Sequence, residues 1–417
     1  MNLVSFSHPF RKGLQIALFL LLVVAALGSS AAYASGLCVH PTGAGRCFTS
    51  IQAAVDAAED GDRISIRAGR YVEQVTILGK DLALVGRPGV VVQAPANMED
   101  TLSFVAGVEG RPIILVAEAE VTIRDLIIDG ANSAENNAFL EGIVFINAGG
   151  VIQDNLVKDI GFGEPTLPII DGEPSYQGEG MLVVNFGATP RTVTISENRV
   201  VNYNSGGITV FTETDPINPT PANLTVHVVD NTIIGLGPND VIDQWGIFFG
   251  GYNVVDPELS ITGTLKANWI QDQVTLAPYP APGVGIATFN TRNVEMADNI
   301  VENVNLGLVA HLAFGAQIVD NHITGPRQGP TGFAGLLVSG RDSWIAENRF
   351  KKFETGILLF IEDLEFGSTL NTALDENRFE KVAVDVMTGP GASLGIAAAR
   401  TAESPSNWQH FRRFHQP

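Results

Sequence analysis

Eight asparagines, Asn155, Asn198, Asn231, Asn268, Asn299, Asn321, Asn348 and Asn377, sit in one repeated frame. Seven of them follow an acid: Asp154, Glu197, Asp230, Asp298, Asp320, Glu347 and Glu376. Two places after each comes a branched or aromatic residue, from Val157 and Val200 to Phe350 and Phe379. The spacings are 43, 33, 37, 31, 22, 27 and 29 residues. A base unit of about 22 residues with insertions is the signature of a solenoid, in which each unit is one rung. A second motif runs in phase, a glycine opening an aliphatic strand: Gly142-Ile143, Gly180-Met181, Gly207-Ile208, Gly246-Ile247, Gly285-Ile286, Gly307-Leu308, Gly335-Leu336 and Gly356-Ile357.

Apolar residues around both motifs alternate, as Val193 with Ile195, Val226 with Val228, and Ile208 with Val210 do. That is the period of strands, and no helical period survives past residue 60. Three short strands per rung make an all-β parallel β-helix of about ten coils, and the crossover rule makes it right-handed. A loose β-sandwich is the alternative. The asparagine is expected at a tight corner that needs a left-handed backbone. Its amides are expected to bond along the axis at the rung spacing of ~4.8 Å.

At this point the chain resembles the right-handed β-helix repeat proteins of the pectin lyase-like superfamily. The segment Ile51 to Ala58 resembles the amphipathic helix that caps their first coil. Gly61-Asp62, Ile64-Ser65-Ile66, Gly69-Arg70-Tyr71-Val72-Glu73 and Leu82 to Gly86 resemble their opening coils, those of pectin methylesterases included. The resemblance covers about residues 48 to 390. It implies the fold and no single activity, since the superfamily hosts lyases, hydrolases, esterases, epimerases and non-enzymes.

Arg11 and Lys12, the apolar run Leu14 to Leu27 and Ala32-Tyr33-Ala34 read as a secretory signal, with a membrane anchor as the alternative. The expected organisation is a signal peptide over 1–34, a capping region over 35–60, the β-helix over 61–391 and a C-terminal tail or cap over 392–417. The expected location is extracellular or periplasmic. Cys38 and Cys47, the only cysteines, are then expected to pair. Without Arg11 and Lys12 the chain holds 23 basic residues against 45 acidic, a net charge near −22. This excludes nucleic acid as partner and makes dense polyanions awkward ligands.

The resemblance implies a cleft on the Gly-Ile strand, flanked by long loops. Two outward columns of that strand follow from alternation. One is Val144, Leu182, Thr209, Phe248, Ala287, Val309, Leu337 and Leu358; the next is Ile146, Val184, Phe211, Gly250, Phe289, His311, Ser339 and Phe360. A uronate lyase needs a cation for the carboxylate and a base beside it, and these columns carry neither. Motifs of polygalacturonases and alginate epimerases are absent, as are the catalytic segments of pectin methylesterases.

Weaker constellations remain. Glu213 and Asp215 follow one Gly-Ile strand, and Asp240 and Asp243 precede the next. Converging, they would ligate calcium, the one cofactor this chain suggests, or act as an acid/base pair. Asp243, Glu213 and His311 are the catalytic candidates. Glu141 and Glu179 precede successive glycines; stacked and buried, one would be raised in pKa. Two outward columns flank the asparagines. Thr194, His227, Thr264, Glu295, Gln317 and Trp344 run before them; Arg199, Thr232, Trp269, Ile300, His322, Arg349 and Arg378 run after them. Polar rows with exposed tryptophan suit sugar, so Trp245, Tyr252, Trp269 and Trp344 are the substrate-binding candidates.

Three functions are open at this stage. One is a secreted β-helix that binds, or also processes, an extracellular polysaccharide. Another is a polysaccharide lyase or glycoside hydrolase acting on acidic glycans. The third is an adhesive or structural surface protein. A metal-handling role is disfavoured, because His227, His311 and His322 are few and scattered.

Overall fold

The computed structural model describes residues 36–103, 109–166, 169–170, 173–174, 178–187, 189–212, 223–251, 261–276, 282–328, 331–359, 371–388, 394–396 and 401–403. The expected signal, Glu213, Asp215, Tyr252 and Phe360 lie outside them. The chain coils into a right-handed parallel β-helix with three sheets of 13, 11 and 13 strands. The first sheet collects the strands before each asparagine, the second those after it, and the third the Gly-Ile strands. Neighbouring rungs pair in parallel without slippage over most of the length, so one residue position forms one column.

Each sheet sends apolar columns inward. In the first sheet one runs Ile195, Val228, Leu265, Met296, Ile318 and Ile345; in the second, Val200, Ile233, Ile270, Val301, Ile323 and Phe350. The third contributes Ile143, Met181, Ile208, Ile247, Ile286, Leu308, Leu336 and Ile357. All of these are buried. At ~25 cal/mol per Å² of apolar area removed from water, such columns are the main cohesive force of a solenoid. Phe350 and Phe379 continue the stack as near-parallel rings 5.5 Å apart.

The asparagine ladder forms as expected along the axis, but its corner differs from the expectation. The left-handed residue is the one before each asparagine: Asp154, Glu197, Asp230, Ala267, Asp298, Asp320, Glu347 and Glu376 have φ between +44° and +59°. That twist turns the asparagine side chain into the stack. Asn268 Nδ2 donates to Asn299 Oδ1 (3.0 Å) and to the Val228 carbonyl (2.8 Å). Its Oδ1 accepts from the Asn231 backbone N–H (3.0 Å) and Nδ2 (3.1 Å). The same scheme links every rung from Asn155 to Asn377. Asparagine serves because it alone among small side chains both accepts twice and donates twice.

The N-terminal end is closed by a helix, Ile51–Ala57. Ser50 Oγ accepts from Ala53 N, while the Glu73 carboxylate accepts from Ile51 N (2.8 Å) and Gln52 N (3.0 Å). A carboxylate at a helix N-terminus satisfies orphan amides and opposes the helix dipole. Tyr71 Oη donates to the Arg67 carbonyl. The Gly69 to Glu73 motif is therefore structural in this chain. The Cys38–Cys47 disulfide closes the adjacent loop. At the other end, Leu394–Ile396 and Thr401–Glu403 add parallel strands to the first and third sheets. Among the described residues no helix is long and apolar enough to cross a membrane.

Candidate functional site

The outer side of the third sheet holds the columns that alternation predicts: Val144, Leu182, Thr209, Phe248, Ala287, Val309, Leu337 and Leu358 are register partners in turn. They are packed into two clusters separate from the solenoid core. One joins Leu115, Val144, Leu182 and Val184 to Ile146, Phe186 and Phe211. The other joins Ala287, Leu306, Val309, Leu337 and Leu358 to Phe248, Phe289 and Met387. Half-buried aromatics connect the two. Phe211 and Phe248 have centroids 5.3 Å apart, Trp245 and Phe248 5.7 Å, and Phe248 and Phe289 5.3 Å. The row ends at His311, 5.2 Å from Phe289.

His311 is buried, with Nδ1 2.8 Å from Ser339 Oγ, which also accepts from Leu312 N at 2.9 Å. Leu312 has φ +48° and lies in a bulge where the strand register shifts. The Ser–His contact therefore closes the polar groups that the bulge exposes. Asp243 is also buried, but it precedes strand Trp245–Gly251, whereas His311 lies late in strand Leu306–Phe314. The two expected catalytic residues sit toward opposite ends of their strands, two rungs apart. Asp240 is exposed while Asp243 is buried, and no three His, Cys, Asp or Glu side chains converge on a metal position among the described residues.

The structure does bring another pair together. Glu141 and Glu179 are register partners on strands Leu140–Ile146 and Glu179–Asn185, and are only 6% and 9% exposed. The Glu141 carboxylate accepts from the backbone N–H of Glu179, and Glu179 accepts from the Thr209 hydroxyl. Trp245 Nε1 in turn donates to Thr209 Oγ1 at 3.1 Å. Gly206 permits this, since a Cβ there would lie 2.4 Å from the indole nitrogen. Oε2 of each glutamate is buried with no hydrogen-bond partner among the described residues. Burial, and then the charge of Glu179, hold the Glu141 carboxyl well above the ordinary range; burial lifts Glu179 to about 7. A buried like-charge pair keeps a proton because two adjacent carboxylates in low dielectric repel.

A second surface lies on the second sheet. Arg199, Thr232, Trp269, Ile300, His322, Arg349 and Arg378 are register partners over seven rungs. Trp269 is 44% and Ile300 46% exposed, and the four basic side chains are exposed too. Two residues earlier in six of the seven rungs the corner acids form a parallel exposed row, Glu197, Asp230, Asp298, Asp320, Glu347 and Glu376, with Ala267 in the rung of Trp269. The column that follows the asparagines is thus a basic row beside an acidic row. Trp344, 45% exposed, belongs to the first sheet on the far side of the ladder. Sequence reasoning placed Trp245 among sugar-binding residues but missed its bond to Thr209; only the in-phase glycine motif hinted that 209 and 245 lie near each other.

No family model and no curated protein sequence matches this chain. Among solved structures it is similar to a native lacto-N-biosidase from Eubacterium ramulus, with TM-score 0.53 and 10% identity over 84% of this chain and 68% of that one. It is likewise similar to the Dettilon tailspike protein, with TM-score 0.53 and 14% identity over 85% of this chain. The chain spans 65% of the tailspike's length. These likenesses show the parallel β-helix fold.

Proposed function

We propose that this protein is a secreted β-helix that binds an extracellular polysaccharide along its second sheet. The observation that carries the reading is the exposed seven-rung row from Arg199 to Arg378, centred on Trp269 and Ile300. An exposed tryptophan offers a flat apolar face for sugar C–H groups, and large exposed apolar groups in line mark interaction surfaces. Guanidinium groups donate to hydroxyls, and the neighbouring carboxylates accept from them. The acidic row offsets the basic row, so the surface suits a hydroxyl-rich, lightly charged chain better than a dense polyanion. The disulfide fits an oxidising compartment. The fold shared with a lacto-N-biosidase and a tailspike protein supports the same reading.

Affinity electrophoresis of the full chain in gels cast with galactan, xylan, laminarin or polygalacturonate tests it. Retardation by a neutral polysaccharide is expected, reduced about tenfold in affinity by Trp269→Ala and by Arg349→Ala. Retardation unchanged in both variants, or none in any gel, sinks the reading.

A further inference from the structure

We propose that a cavity at the N-terminal end of the solenoid binds a sugar-sized phosphate monoester. The proposal is independent of the second sheet and of the polysaccharide assigned to it. The cavity, about 520 Å³, lies against the Cys38–Cys47 disulfide, with His40, Gly45, Arg67 and Arg87 on its walls. That volume falls in the range of small-molecule sites, ~300–1,000 Å³.

The register explains why cations meet there. Cys38, Ser65, Val85, Arg124 and Gln153 are partners in turn in the first sheet. Two residues further along stand His40, Arg67, Arg87, Leu126 and Asn155. The phase that holds a buried asparagine from Asn155 onward therefore holds a histidine and two arginines in the first three rungs. Both arginines are exposed, where Asn155 is buried, and all three residues line the one cavity.

Nothing in the described structure offsets the two positive charges. Among the described residues Arg67 and Arg87 form no ion pair, whereas Arg70, Arg111, Arg124, Arg191 and Arg327 do. No Asp or Glu lines the cavity. Like charges in register on adjacent strands are destabilising, and an anion held between them turns repulsion into attraction. A chain of net charge −20 repels anions in general, so this cavity is a local exception to its own field.

Charge and donors select the ligand. Two guanidinium groups supply two positive charges, which a phosphate monoester matches with about −1.5 to −2 at neutral pH. A carboxylate or a sulfate ester, with one charge, matches half. Guanidinium forks donate in pairs to phosphate oxygens. His40 Nδ1 accepts from the Thr42 backbone N–H at 3.2 Å, which puts the ring proton on Nε2 and makes it a third donor. A phosphate group alone fills a small part of the cavity, and the remaining space takes a sugar ring. The walls are set before a ligand arrives. His40 N donates to the Phe48 carbonyl and Phe48 N to the Cys38 carbonyl, each at 2.8 Å. Pro41 lies on Gly69, where a Cβ would come 2.2 Å from Pro41 Cγ. With the disulfide, these contacts fix the loop that carries His40 and Gly45, so less freedom is lost on binding.

Isothermal titration calorimetry of the full, disulfide-intact chain at low ionic strength tests the proposal. The probes are glucose 6-phosphate, glucose 6-sulfate, glucuronate, inorganic phosphate and glucose. Glucose 6-phosphate is expected to bind at least about tenfold more tightly than the sulfate ester, glucuronate or inorganic phosphate, and glucose is expected not to bind. Arg67→Gln and Arg87→Gln should each weaken glucose 6-phosphate about tenfold or more. Arg46→Gln, beside Gly45 but off the cavity wall, and Trp269→Ala on the second sheet should stay within about threefold of the wild type. All four side chains are exposed, and circular dichroism confirms that each variant folds. No binding of glucose 6-phosphate overturns the inference. So does equal affinity for the sulfate ester, glucuronate or inorganic phosphate, or affinity unchanged in both Arg67→Gln and Arg87→Gln.

Discussion

The ladder supplies a prediction whose size follows from counted bonds. In Asn268→Ala four hydrogen bonds vanish, two accepted by Oδ1 and two donated by Nδ2. Their partners do not suffer equally. Asn231 Nδ2 keeps the carbonyls of Ile195 and Val229, and Asn299 Oδ1 still accepts from the Asn268 backbone N–H. The Asn231 backbone N–H, by contrast, loses the acceptor it has in the ladder, in a corner where Asn231 is 1% exposed. One orphaned buried donor at ~1–3 kcal/mol and three lost bonds at ~0.5–1.5 kcal/mol each give a destabilisation of about 2.5–7.5 kcal/mol. Asn377→Ala is the control. It removes the last ladder bonds, but Asn377 is half-buried and water can replace them, so about 1–2 kcal/mol is expected. Guanidinium denaturation followed by circular dichroism reads both, and broadening in the Asn268 variant would show the solenoid dividing into two unfolding units at the break. A cost below about 1 kcal/mol for Asn268→Ala, or equal costs for the two variants, refutes the reasoning.

Three further outcomes are expected. The folded Glu141–Glu179 pair holds protons that the unfolded chain releases near the ordinary value of 4.5, so stability should fall as pH rises from about 4.5 through about 7, where Glu179 gives up its proton, with the raised Glu141 adding to the loss in the same direction. A Glu141→Gln/Glu179→Gln double variant should flatten melting temperature across that window; an unchanged slope contradicts the buried pair. Reducing the Cys38–Cys47 bridge, which spans nine residues, should cost about 2–3 kcal/mol at the N-terminal cap, seen as earlier proteolysis near residue 50 in dithiothreitol. Glu73→Ala removes the acceptor of two helix amides and should cost about 1–2 kcal/mol, read by the same denaturation assay.

Much of the fold was legible in the chain because a solenoid repeats its local rules. The Asn frame, the Gly-Ile strand and alternation placed the three sheets, and even the outward column from Val144 to Leu358 matched the register, as did the next one from Ile146 to His311. The corner was misassigned because φ is a backbone property: an acid and an asparagine in adjacent positions look equally suited to a left-handed turn. Asp243 and His311 looked like partners because both flank the same sheet, yet strand length separates them.

The sequence alone determined the parallel β-helix, the capped N-terminus, the asparagine stack and the likelihood of pairing between any two residues at equal phase. Tertiary structure decided which phases mattered. Glu141 and Glu179 are 38 residues apart, and only the coil brings them side by side and buries them. The bond from Trp245 to Thr209 spans 36 residues and depends on a glycine that leaves room for the indole. Periodicity is written locally and can be read residue by residue. Burial and charge coupling depend on insertions of unequal length that set what lies over each column, and no local pattern encodes that.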